Sequence, residues 1–213
     1  MSCKYLYRIA SEPNLWTTVR LKNLKVRGWE GFAKTLRRYG TKKLDLRGIL
    51  GPSKPADVIA MWNNFLEKIV IVLSLEHLEF SCCNVRVVEA VARKCPNLTI
   101  INAVQLQNGD SSFIESFIKS AALQEFQSRG GLNIELFHDD LTFQKKDTLR
   151  LLSLASIKDF DSTVVNALGD LSRLNIFLEF GECDDLVADK LAVSTADLND
   201  LRRLRLEKIR NSD

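Results

Sequence analysis

The sequence is poor in the residues that most chemistry requires. It holds two histidines, His77 and His138, with four prolines, ten glycines and five cysteines in 213 residues. Two histidines leave little for acid–base work or for nitrogen ligation of a metal. His77 lies one residue before a candidate strand leucine and His138 is followed by Asp139-Asp140, so both read as exposed turn residues. No G-x-G-x-x-G or G-x-x-x-x-G-K-S/T run occurs, and Gly51-Pro52-Ser53-Lys54 carries a proline where a phosphate loop needs backbone donors. Cys82-Cys83 and Cys95 lack C-x-x-C spacing and read as small core residues. Asp139-Asp140 and Asp184-Asp185 have no basic or nucleophilic partner set by pattern, so they read as loop charges. An enzyme is not expected, and no metal or cofactor is implied.

Long apolar runs are also lacking. The longest, residues 69–73 (IVIVL), is far shorter than the roughly 18 residues of a membrane span. Residues 1–10 contain no apolar stretch of the kind that opens a secretory leader. With an odd number of cysteines, this points to reduced thiols and a cytoplasmic or nuclear location. No Pro/Gly/Ser-rich linker interrupts the chain, and one continuous structure is expected.

Charge is present but uneven. The formal net charge is +3, yet residues 1–50 hold twelve Lys/Arg against three Asp/Glu, which leaves −6 for the rest. Such a basic first quarter suits an acidic partner or nucleic acid. No nucleic-acid docking motif accompanies it, which favours the reading of these cations as solvated helix and turn residues.

What the chain has in abundance is a spaced leucine pattern. Pairs of apolar residues two apart recur at Val19/Leu21, Leu44/Leu46, Leu78/Phe80, Leu98/Ile100, Ile134/Leu136, Leu152/Leu154, Ile176/Leu178 and Leu204/Leu206. Between second members the gaps are 25, 34, 20, 36, 18, 24 and 28 residues. Residues two apart on a strand point to the same side, so each pair reads as a short strand with one buried face. The clearest unit, Leu75-x-x-Leu78-x-Phe80-x-x-Cys83, follows the spelling of a leucine-rich repeat, and Leu149-x-x-Leu152-x-Leu154 and Leu201-x-x-Leu204-x-Leu206 match all but its last position. Helical spacing of apolar residues falls between strands, at 29–39, 85–93, 112–126 and 161–168. The expected class is α/β: a right-handed leucine-rich-repeat solenoid, a horseshoe like that of ribonuclease inhibitor, with short parallel strands alternating with helices. A doubly wound sheet would want longer Val/Ile strands and a glycine-rich first turn, which are missing.

The first residues add a family signal. Cys3-Lys4-Tyr5-Leu6-Tyr7-Arg8-Ile9-Ala10-Ser11-Glu12-Pro13-Asn14-Leu15-Trp16, followed by Val19 and Leu21, resembles the last part of an F-box and the strand after it. Cys95-Pro96-Asn97-Leu98, after the helical VVEAVARK, is similar to a phrase of the cysteine-containing repeats in F-box/leucine-rich-repeat proteins. The resemblance implies a non-catalytic substrate receptor of an SCF-type ubiquitin ligase, which holds a target so that its lysine meets a charged conjugating enzyme. The alternative is a free-standing repeat scaffold without ligase association. The N-terminal part of the F-box, with most of the adaptor contact, is missing from this sequence, so adaptor binding is expected to be weakened or lost. Residues 1–17 are then an F-box remnant serving as a cap, and 18–213 a repeat domain of about eight irregular repeats. Leu6, Ile9, Leu15 and Trp16 form the adaptor-binding remnant implied by the resemblance.

In a parallel solenoid, residues between and after the strand leucines face the concave side, where partners sit. These positions are Arg20 and Lys22, Asp45 and Arg47, Glu79 and Ser81, Thr99 and Ile101, Glu135 and Phe137, Ser153 and Ala155, Phe177 and Glu179, then Arg205 and Glu207. Arg20, Arg47, Glu79, Phe137, Phe177 and Arg205 are the expected contacts of a protein substrate, since arginines and aromatics anchor interfaces.

Overall fold

Apolar residues that recur every third or fourth position form helices here, and those that alternate form strands that the helices cover. The computed structural model describes residues 8–104, 122–129, 148–155, 177–181, 196 and 198–207. The chain is an α/β protein with one open parallel sheet, whose eight strands are neighbours in chain order. They are β1 (Thr18–Leu24), β2 (Lys43–Ile49), β3 (His77–Ser81), β4 (Ile100–Val104), β5 (Glu125–Arg129), β6 (Leu151–Ala155), β7 (Phe177–Gly181) and β8 (Leu204–Glu207). The described helices are α1 (Trp29–Tyr39), α2 (Pro55–Ile69) and α3 (Val85–Lys94).

Each helix has local reasons to start and stop. In α1, Trp29, Ala33 and Leu36 are buried on one stripe, and the helix ends at Gly40, whose φ of 66° suits a residue without a side chain. Pro55 occupies the first turn of α2, where a missing N–H costs nothing, and Trp62, Phe65 and Ile69 form its buried face. Asn84 caps α3 by accepting a hydrogen bond from the Arg86 N–H at 2.9 Å. These stripes join Leu44, Leu46, Leu78 and Phe80 of the sheet in a single buried cluster. At its centre Trp62 meets Phe65 and Phe80 edge-on, with ring centroids 5.5 and 6.1 Å apart.

Register turns the irregular leucine spacing into a regular one. Val19, Leu44, Leu78, Ile101, Phe126, Leu152, Leu178 and Leu204 are paired in succession across the sheet. They lie 25, 34, 23, 25, 26, 26 and 26 residues apart, so a single interval, the one holding α2, is long. A backbone device repeats at the same place. The carbonyls of Thr17, Lys42, Glu76, Thr99 and Gln124 each accept two successive N–H groups from the start of the following strand. Thus Glu76 and His77 donate to the Lys42 oxygen at 2.8 and 3.0 Å, and Thr99 and Ile100 to that of Glu76 at the same two distances.

Three expectations need correction. In β4 the buried residues are Ile101 and Ala103, not Leu98 and Ile100 as a strand pair; Leu98 is buried ahead of the strand, in the place Leu75 takes ahead of β3. Ile101 therefore lies in the core and not among the expected contact positions. Glu125 and Phe126, where helical spacing predicts the end of a helix, begin β5. The fifteen-residue helix α2 has no counterpart among the expected helices. The expected strand at Ile134/Leu136 lies outside the described residues, as do the helix at 161–168, His138 and both aspartate pairs.

Candidate functional site on the face opposite the described helices

Because side chains alternate across a strand, residues flanking the buried leucines point away from the helices. The middle row of that second face is Arg20, Asp45, Glu79, Asn102, Gln127, Ser153, Glu179 and Arg205, partnered strand to strand. Every member is polar. No described helix contributes a residue to this row.

At β1–β3 the row becomes a network of charges. Asp45 and Glu79 are 3% and 4% exposed, within the range of the hydrophobic core. Arg47 clasps Asp45 in a two-pronged bond, with Nε 3.1 Å from Oδ1 and Nη2 2.9 Å from Oδ2, and its own N–H also donates to Oδ1. The same Nη2 lies 2.7 Å from Glu79 Oε2. Arg20 Nε donates to Asp45 Oδ2 at 2.9 Å, while Lys43 Nζ and His77 Nε2 stand 2.5 and 3.1 Å from Glu79 Oε1. The two carboxylates thus lie beneath a layer of cations. Side-chain exposure is 63% for Arg20, 40% for Arg47 and 30% for Lys43, against 5% and 6% for the acids.

Ionisation follows from this layering. Burial pushes the Asp45 carboxyl up, but the hydrogen bonds and charge of Arg47, aided by Arg20, outweigh it and hold the group at about 2. The bond to Asp45 in turn raises Arg47 above its ordinary value. Burial, with the charge of Lys43, lowers His77 despite the pull of Glu79, which favours the neutral imidazole beside the carboxylate. At pH 7 the cluster of Arg20, Lys43, Arg47, Asp45, Glu79 and His77 carries one surplus positive charge, and Lys22, exposed on β1, adds another.

Beside this network a hollow of about 280 Å³ opens between β1 and β2, lined by Arg20, Leu21, Lys22, Asp45, Arg47 and Gly48. Gly48 fits closely there. A Cβ on it would stand 3.2 Å from the Lys22 backbone, at the place where the pairing of β1 and β2 shifts register.

Of the expected contact residues, the structure brings Arg20, Arg47 and Glu79 together. Glu79 faces the cations above it rather than open space, so it acts as an anchor for them and not as a contact. Arg205 is exposed at the far end of the row, on β8. Phe177 begins β7 in the register position of Leu151. Phe137 lies outside the described residues, and so does Leu6. At the N-terminal end, Ile9 and Leu15 are 41% and 57% exposed. Trp16 is half-buried, stacked on Tyr39 at 5.1 Å with its indole N–H donating to the Ala10 oxygen at 2.6 Å.

Lys43 and His77 were missed as members of this face. Alternation marks the residue before a buried leucine as surely as the one after it, so the same period-two pattern identifies both. His77 is accordingly a strand residue and not a turn residue. Cys83 and Cys95 are buried, and burial raises both thiols, that of Cys95 to about 11, which fits packing rather than reactivity. Among the described residues no helix is long and apolar enough to cross a membrane. No protein-family model matches the chain, and a search of curated proteins finds no match.

Proposed function

We propose that this chain is a right-handed leucine-rich-repeat solenoid that holds a protein partner on the uncovered face of its sheet, as a non-catalytic receptor of the F-box type. The observation that carries the reading is the single register of eight apolar positions, six of their seven intervals between 23 and 26 residues, with one carbonyl accepting two N–H groups at each of the five junctions from β1–β2 to β5–β6. That interval matches the period of leucine-rich repeats. Buried Cys83, at the place where such a repeat carries Asn or Cys, supports it further. A sheet covered by helices on one side leaves the other as a continuous binding surface.

The ligase part of the proposal rests on the resemblance of residues 3–16 to an F-box end. Exposed Ile9 and Leu15 are the apolar side chains that an adaptor subunit would cover. Co-purification of the chain with the SCF adaptor tests it. The expected result is a weak complex that Ile9→Asp with Leu15→Asp abolishes while the melting temperature stays put, since neither side chain is in the core. Failure of the unaltered chain to retain the adaptor would remove the ligase and leave the free-standing scaffold, a reading that the Trp16–Tyr39 stack favours because it ties the N-terminal segment to α1 as a cap. A cytoplasmic or nuclear location belongs to this proposal.

A further inference from the structure

We propose that the uncovered face at β1–β3 receives an anionic segment of the protein partner, a short run of carboxylate or phosphate side chains followed by apolar residues that lie over β4. The inference rests on the proposed function and names the chemistry of its partner. Its basis is the layering of charge. Asp45 and Glu79 are sealed beneath the surface, so what the face offers to a partner is the exposed Arg20 and Arg47 and the partly exposed Lys43, with Lys22 alongside. The buried acids orient these cations from below, which lowers the ordering cost of binding. Arg20 uses its Nε on Asp45, and its guanidinium lines the hollow shared with Lys22 and Arg47. A fork of that kind suits a carboxylate or phosphate.

The same face changes character one strand further on. Ile100 and Val104 of β4, in the register positions of His77 and Ser81, are half-buried and apolar. Neighbouring strands lie about 4.8 Å apart, so β2 to β4 is about 10 Å, which an extended peptide covers in about three residues. The fitting segment therefore carries its anions about three residues from an apolar side chain. A nucleic-acid strand fits less well. Its phosphates need cations along a path, whereas the middle row continues as Asn102, Gln127, Ser153 and Glu179 before reaching Arg205.

The test is selection of a random displayed-peptide library on the whole chain, on Arg20→Gln with Lys22→Gln, and on Asn102→Trp, each checked for an unchanged melt. Both altered cations are exposed, and the glutamine amide can still donate to Asp45. Expected is an anionic consensus with an apolar residue about three positions away, lost on both variants. A labelled tetraglutamate-spacer-Leu-Val peptide should then bind at least about tenfold more weakly to the glutamine variant, and more weakly as salt rises. Its tetraphosphoserine counterpart tells carboxylate from phosphate preference by relative affinity. Peptides blocked by Asn102→Trp but not anionic would overturn the inference while leaving the face as a protein-binding surface. Peptides insensitive to both variants would overturn the face itself. Tighter binding of an oligothymidylate than of either anionic peptide would replace the protein partner with nucleic acid.

Discussion

On one face of the sheet Leu44, Leu46, Leu78 and Phe80 are sealed by aromatic and aliphatic side chains from three helices. On the other, Asp45 and Glu79 reach nearly the same burial beneath Arg20, Lys43 and Arg47, which are themselves in contact with water. The two kinds of burial are not equivalent. Apolar burial is stabilised by area removed from water and does not titrate. A buried carboxylate costs several kcal/mol unless its partners stay in place, roughly what the partners return. The helix side therefore supplies the stability, while the other side holds a charge layer that answers to its surroundings. That division suits the proposed scaffold, whose binding surface must be rigid yet accessible.

The comparison can be broken at several points. The largest effect is expected on the helix side: Phe80→Ala removes a ring packed on Trp62 and should lower stability in urea unfolding by about 3–5 kcal/mol. On the charged side, Arg47→Ala takes the clasp from Asp45 and a partner from Glu79, with an expected loss of about 2–3 kcal/mol. That loss should shrink when Asp45 is already Asn, whereas a Phe80→Ala background should leave it unchanged. Acid sharpens the contrast further. The Asp45 carboxyl is depressed in the folded state, from 3.8 to about 2, so the unfolded chain takes the proton first. Its share of stability, about 2 kcal/mol, is present above about pH 5 and is lost as pH falls toward 2. His77, also lowered, acts in the same direction from about pH 6.5 downward. Melting temperature against pH should fall across this range in the unaltered protein and flatten in Asp45→Asn, with Phe80→Ala shifting the curve without changing its slope. The smallest effect is a gain. Thr41 is fully buried, in the leading position that Leu75 takes in the following repeat, and its hydroxyl has no hydrogen-bond partner. Thr41→Val should raise stability by about 1 kcal/mol.

Much of the sheet was legible before the structure was known. β2, β3, β6 and β8 stand where alternating leucines placed them, since alternation is local and both alternating positions are apolar. β5 escaped because its register positions are Phe126 and Ser128, one of them polar, while its apolar residue also continues the helical spacing upstream. β4 was assigned in the wrong register because Leu98-Thr99-Ile100-Ile101-Asn102-Ala103 satisfies two readings. Pairing with β3, which sets Ile101 against Leu78, chooses between them. The charged site was half legible: Arg20, Arg47 and Glu79 were placed on the right face, but not the burial of the acids. Asp45 and Glu79 are 34 residues apart, and nothing near either one announces that Arg47 bridges them.

The sequence by itself determined that strands and helices alternate, which side of most strands is buried, and that the first quarter is basic. Each of these is written in neighbours two to four residues apart, within reach of local geometry. Only the tertiary structure decided the even register beyond the 34-residue interval and the stacking of three cations over two acids, because each depends on residues a whole strand interval apart that meet only once the sheet has formed.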